Sequence, residues 1–228
     1  MTIFNFTLKR VFKNKLDLLM FLLLPVILVF ISVETWIPIP LGFQLYGILL
    51  LFISSKICKT MMQDRENKVV LRISAAPITH LRYLGENLLA YTLILSMVNL
   101  IVVGLGVLRY GVDIIPPLKM FLLFSAFSAT SIGLSIAWYA LFQHTETAYS
   151  ILGGLYMSLA MLGGMLWPFE AFPEILQRII QILPTYWYAM GMRQVIYEGY
   201  NGDFFLTIGI LLLFSLAFIL LGSRKRLG

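Results

Sequence analysis

Few side chains in this 228-residue chain could do chemistry, and none are grouped for it. The single cysteine, Cys58, can form no internal disulfide and has no metal-ligand partner nearby. His144 and Glu146 share a short polar turn without a third ligand, so they read as groups facing a partner or water, not a metal. Glu34 and Glu86 lie near the ends of apolar runs, and a proton relay would need a second acid at mid-depth that the chain does not supply. No cluster has nucleophile spacing, and no G-x-x-x-x-G-K-[ST] phosphate loop occurs, so ATP cannot bind by that route. What remains is polar groups inside apolar runs: Gln44, Asn99, and the series Ser125, Ser128, Thr130, Ser131, Ser135. Such groups are costly in hydrocarbon, so each invites a functional reading. Gln44, Asn99, Ser128 and Ser131 are the candidates to line a path for a passing molecule. Serines also let helices approach closely, and a mid-run amide such as Asn99 needs a partner under either reading.

The elements carrying these groups are set by composition. Sixty per cent of residues are hydrophobic and 12% charged, against about 45–50% and 25% in soluble domains. A soluble core of this length buries only about two-thirds of the surface its unfolded chain exposes, too little to hide that much apolar side chain. Soluble enzyme, disordered chain and collagen-like rod are excluded. A polytopic all-α membrane protein, one domain over 1–228, is the class left. Runs long enough to cross the bilayer predict six spans: Leu18–Trp36, Leu41–Ile57, Asn87–Leu108, Met120–Phe142, Thr147–Trp167 and Phe204–Gly222.

Net charge is +6, but the cations sit in short clusters between apolar runs and form no solvated stripe for nucleic acid. With the N-terminus inside, thirteen of the seventeen Lys and Arg fall on the inner side, leaving Arg109, Lys119, Arg178 and Arg193 outside. The positive-inside rule then places both termini in the cytoplasm. The first apolar run is too long for a signal-peptide core, and no small-residue cleavage site follows it. Residues 1–15 mix Ile3, Phe4, Phe6, Leu8, Val11 and Phe12 with Lys9, Arg10, Lys13 and Lys15, which predicts an amphipathic helix on the inner membrane surface.

Two segments are neither span nor simple loop. Residues 61–83 combine Asp64, Arg65, Glu66, Lys68 and Arg72 with Val69, Val70, Leu71 and Ile73, predicting an amphipathic helix ended by Pro77. It reads as a docking lever for a cytosolic partner, or as a solvated connector. Residues 168–202 are rich in aromatics and punctuated by Pro168, Pro173 and Pro184. Ile175, Leu176, Ile179, Ile180 and Leu183 follow helical spacing, predicting two short helices joined at Pro184 and folded back into the outer leaflet.

These segments resemble the membrane subunits of ABC exporters in the ABC-2 permease family. Asp64-Arg65-Glu66 with Pro77 eleven residues after Glu66 is similar to the family's charged helix followed by proline, although Lys68-Val69 replaces its usual Gly-Thr. Gly163-Gly164, Pro168, Glu170, Pro173, Leu183-Pro184 and Arg193 resemble its signature after the fifth span. The resemblance implies a permease in a bacterial plasma membrane, without its own ATPase. Two separate ATPase subunits would bind ATP and Mg, and a second permease, identical or paralogous, would complete the path. It implies ATPase coupling through Asp64, Arg65, Glu66, Lys68, Arg72 and Pro77. An outer gate would form from Gly163, Gly164, Pro168, Glu170, Pro173, Pro184 and Arg193. Expected cargo is a hydrophobic or amphipathic peptide or drug; a lipid or glycolipid exporter and a non-transporting immunity or sensor component are the alternatives. Expected contacts are otherwise with membrane lipids, with no metal and no nucleic acid.

Overall fold

The computed structural model describes residues 2–13, 15–31, 40–66, 80–197 and 203–224. Nine α-helices occur among them: α1 Thr2–Lys13, α2 Lys15–Val29, α3 Leu41–Glu66, α4 His80–Tyr110, α5 Pro117–Tyr139, α6 Thr145–Leu162, α7 Glu174–Ile180, α8 Pro184–Ile196 and α9 Phe204–Arg224. A 3₁₀ turn, Phe169–Ala171, precedes α7. The breaks follow local chemistry. Gly111 takes φ +87° just past α4, a conformation open to glycine at no steric cost. Pro116 precedes α5 and Pro117 occupies its first turn, where a missing N–H costs nothing.

The six longer helices α2, α3, α4, α5, α6 and α9 alternate in direction between two ends of a bundle. Tyr110 at the finish of α4 donates to the Val29 carbonyl at the finish of α2. Phe43 near the start of α3 stacks on Phe124 near the start of α5. Toward the other end, Ser55 of α3 meets Tyr139 of α5, and Lys59 reaches Glu146 in the first turn of α6. That end, which carries Arg10, Lys13, Lys56 and Lys59, is the basic end; the other is the far end.

Helix α5 is the axis. Met120, Leu123, Phe124, Phe127 and Ile132 are fully buried. Thr130 donates to the Leu211 carbonyl and Ser215 to the Ala129 carbonyl, fastening α9 along α5. The small side chains of α5 therefore let α9 approach closely. The periphery is apolar as well: Leu100, Leu108, Phe205, Leu213 and Leu216 are all more than half exposed. A helix that is apolar all round belongs in a bilayer.

Among the described residues four helices are long and apolar enough to cross it: Leu41–Gln63, Tyr83–Tyr110, Pro117–Tyr139 and Phe204–Ser223. The first and fifth predicted spans are shorter as helices. At about 1.5 Å per residue, the 15 residues of α2 and 18 of α6 reach roughly 22 and 27 Å, below the ~30 Å hydrocarbon thickness. Helix α6 stops at Leu162 and not Trp167 because a turn at Gly163-Gly164 follows, with Gly164 at φ +82°. The second span overruns its predicted end at Ile57 by nine residues, so Asp64, Arg65 and Glu66 belong to α3 and not to a separate helix after it. Lys68, Arg72 and Pro77 lie outside the described residues.

Candidate functional site

At the far end the motif residues after α6 assemble around one buried cation. Arg193 of α8 is 3% exposed and pairs with Glu170 of the 3₁₀ turn, Nη2 to Oε2 at 3.0 Å. Its guanidinium also lies 3.8 Å from the centroid of the Phe169 ring, a stacking a lysine would not reproduce. Phe169, Ile180 and Tyr186 form a small core of their own, covered by Phe172, Leu176, Leu183, Trp187 and Met190. Pro168 and Pro173 bracket the 3₁₀ turn. Pro184 opens α8 as its first residue. Gln177 donates to the Phe172 carbonyl at 2.7 Å, tying α7 to the turn.

The two glycines seat this cap. A Cβ at Gly163 would collide with the Thr185 side chain, and one at Gly164 would crowd Phe169. Thr185 in turn donates to the Leu159 carbonyl at 2.7 Å, locking α8 onto the end of α6. Helix α3 is held from the same side: Tyr188 donates to the Phe43 carbonyl at 3.2 Å, and Gly47 leaves the space its ring fills. On α7, Leu176 and Ile180 face inward while Ile175 and Ile179 stay exposed, as does Ile182 just past its end. A segment apolar on both sides fits hydrocarbon better than water.

The mid-bundle polar groups face one another. Tyr46 of α3 donates to Asn99 Oδ1 of α4 at 2.6 Å. Asn99 Nδ2 donates to Ser128 at 3.2 Å and Ser125 at 3.4 Å on α5. Ser128 and Ser131 donate back to the carbonyls of Phe124 and Phe127. Asn99, Ser128 and Ser131 are fully buried; Asn99 and Ser128 join α4 to α5, while Ser131 bonds back within α5. Gln44 is also buried, at the far end of α3.

At the basic end two carboxylates stand at helix N-termini. Glu66, ending α3, accepts the Thr145 N–H at 2.7 Å in the first turn of α6. Glu86 of α4 accepts the Phe4 N–H at 3.3 Å in the first turn of α1. Both satisfy orphan donors and complement the helix dipole. The Thr145 hydroxyl and N–H hold the Glu66 carboxyl below the usual carboxylate range, and the N–H is the donor that makes the bond. Lys59 pairs with Glu146 at 2.9 Å and lies 4.5 Å from the Tyr149 ring centroid. Thr7 of α1 donates to Asn87 of α4 at 2.8 Å, both side chains buried.

The sequence puts Pro168, Glu170, Pro173, Pro184 and Arg193 in one segment and Gly163 and Gly164 in the predicted fifth span, but it singles out no role for Thr185, Tyr46 or the Lys59–Glu146 pair. Their signals are ordinary residue types whose partners are remote in the chain. Among the described residues no group of His, Cys, Asp and Glu could hold a metal ion.

A family model described as "ABC-2 family transporter protein" matches residues 35–224. The chain is 25% identical over 232 aligned positions to YvfS of Bacillus subtilis (strain 168), named as a transport permease, across 96% of this chain and 93% of that protein. It is also 25% identical over 179 positions to the linearmycin resistance permease protein LnrN of the same strain. That match covers 76% of this chain and 45% of LnrN.

Proposed function

The chain belongs to the ABC-2 transporter family, and from that premise we propose that it moves hydrophobic or amphipathic molecules out of the cell. It is the membrane permease subunit of an ABC transporter and works with ABC ATPase subunits. In this reading six helices span the membrane with both termini cytoplasmic. Two ATPase subunits bind ATP and Mg, and a second permease, a copy or a paralogue, completes the pathway.

The observation that carries the proposal is that α3 and α6 each run from one candidate region to the other. Glu66, at the edge of the 67–79 segment, binds the first turn of α6. Phe43 and Gly47, on the opposite part of α3, hold Tyr188 of the far-end cap. The last residues of α6 seat Thr185 of the same cap. A displacement of the 61–83 coupling segment therefore reaches the Glu170–Arg193 cap through two stiff rods. Sequence resemblance supports the coupling role of Asp64, Arg65, Glu66, Lys68, Arg72 and Pro77.

For cargo, a drug-like or amphipathic peptide fits best, and the resistance function in LnrN's name supports that class. The test is ATP hydrolysis by the chain purified with its ATPase, titrated with linearmycin, other hydrophobic drugs and amphipathic peptides. Stimulation, together with ATP-driven uptake into inside-out vesicles, is expected. Hydrolysis indifferent to every compound would favour a non-transporting immunity or sensor role, and stimulation by lipids alone a lipid exporter.

A further inference from the structure

Two hydrophobic cores meet on α8, and they divide the far-end cap into a fixed part and a hung part. Tyr188, Met192 and Val195 of α8, with Met165 just past α6, belong to the main core of the bundle. Phe169, Ile180 and Tyr186 form the separate small core, with Phe172 and Leu176 packed against it. The division therefore falls between Met165 and Phe169 on one side and between Ile180 and Pro184 on the other. The exposed Trp167 stands at the first place. A turn closed by the Leu183 N–H on the Ile180 carbonyl stands at the second.

Helix α8 is fixed from several sides. Thr185 donates to the Leu159 carbonyl of α6, Tyr188 to the Phe43 carbonyl of α3, and Thr207 of α9 to Gln194. The piece from 169 to 180 is built differently. Its α7 has seven residues, too few to hold a helix without tertiary packing. Gln177 donates to the Glu170 and Phe172 carbonyls, so the 3₁₀ turn and α7 hold each other as one body. That body meets α8 through Phe169, whose ring centroid lies 4.9 Å from that of Tyr186 and 3.8 Å from Arg193 Cζ, and through the Glu170–Arg193 pair. Ile175 and Ile179 are exposed on its other face. A unit resting on a small core of its own opens at lower cost than the main core.

We propose that residues 169–180 are a lid over α8, latched shut by Glu170 on Arg193. This deepens the outer gate of the export reading and rests on it. Both rods that reach the cap end on α8, α3 at Tyr188 and α6 at Thr185. A stroke arriving along them moves Arg193 with its helix, while Glu170 rides on the lid. Once the pair parts, the lid lifts and uncovers Phe169, Ile180 and Tyr186, an apolar and aromatic surface for a departing amphipathic molecule. Side-chain exposure is 3% for Arg193 and 49% for Glu170, so the cation belongs to the floor and the acid reaches it from the solvent side. Drawing a carboxylate away from a buried cation is costly, which holds the lid shut at rest.

The test is the rate at which N-ethylmaleimide labels cysteines introduced into the full chain in detergent, where the native Cys58 is buried. Ile180→Cys replaces a buried side chain under the lid, Met192→Cys a buried one in the floor, and Ile175→Cys an exposed one on the lid's outer face. Without further change, Ile180→Cys should label far more slowly than Ile175→Cys; equal rates would mean that no lid is closed. Adding Glu170→Gln should speed labelling of Ile180→Cys about tenfold, as for the loss of one hydrogen bond between charged groups. Met192→Cys should stay protected, which separates a released lid from an unfolded cap. A rate at Ile180→Cys indifferent to Glu170→Gln would overturn the latch. A matching rise at Met192→Cys would overturn the division into lid and floor. Because labelling of the permease alone needs neither turnover nor cargo, a lid freed by Glu170→Gln beside an ATPase indifferent to every compound would count against export and not against the lid.

Discussion

At the scale of single residues, the polar groups inside the bundle act chiefly as joints. Asn99 was legible in the sequence as a costly amide, but its partner was not. Tyr46 stands fifty-three residues away on another helix, and no spacing rule selects it. The contact closes a chain from Tyr46 through Asn99 to Ser128, so each amide group is used. Interhelical hydrogen bonds in bilayers average about 0.6 kcal/mol and reach about 1.7. Tyr46→Phe should therefore lower stability to unfolding in detergent by about that range. Combining it with Asn99→Leu should cost less than the sum, because the double change leaves no orphaned carbonyl. A strictly additive cycle would mean the 2.6 Å contact carries no coupling and that the polar groups are there for another purpose.

Among the elements, the inner extension of α3 is the main departure from expectation. Lys56 and Lys59 suggested a helix ending near Ile57, since cations mark the edge of an apolar run. Instead Lys59 is held against Glu146 and Tyr149, which lets the helix continue to Glu66 and reach α6. The far-end segment was far more readable, because its prolines and glycines are local stops whose positions dictate the 3₁₀ turn, α7 and α8 directly. What the motif could not convey is the seat, Thr185 on the Leu159 carbonyl, since that depends on where α6 ends. The Glu66 contact has a pH signature. Folding lowers this carboxyl's pKa from its ordinary 4.5, so the contact contributes fully above that value. It is lost as pH falls through the lower, folded value. Protection of the amides in the first turn of α6, measured against their intrinsic exchange rates, should thus be high at neutral pH and fall only in acid. Glu66→Gln should remove the acid-dependent step while raising exchange at pH 7. An acid step unchanged by that substitution would place the titrating group elsewhere.

For the whole molecule, the proposed orientation and six passes rest on one pattern: helices that alternate between a basic and a far end. Hydropathy alone made six runs visible. It could not reveal that α6 is a short helix, because a run of apolar residues does not report where a Gly-Gly turn halts the backbone. Whether α6 nonetheless counts as a crossing depends on which side its two ends face. The single native thiol, Cys58, is buried, so introduced cysteines can be read against a silent background. Gln143, in the exposed turn before α6, and Val112, in the exposed turn after α4, mark opposite ends of the bundle. Trp167, just past α6, is 60% exposed. If the positive-inside rule sets the orientation, with thirteen of the seventeen cations on the cytoplasmic side, Gln143→Cys should react with a membrane-impermeant maleimide only in inside-out vesicles. Val112→Cys and Trp167→Cys should react only in intact cells. Matching reactivity of Gln143→Cys and Trp167→Cys would mean that α6 re-enters without crossing. In that case the far-end cap would share the side of the basic end, and α3 could no longer carry a stroke from the ATPases to an exit.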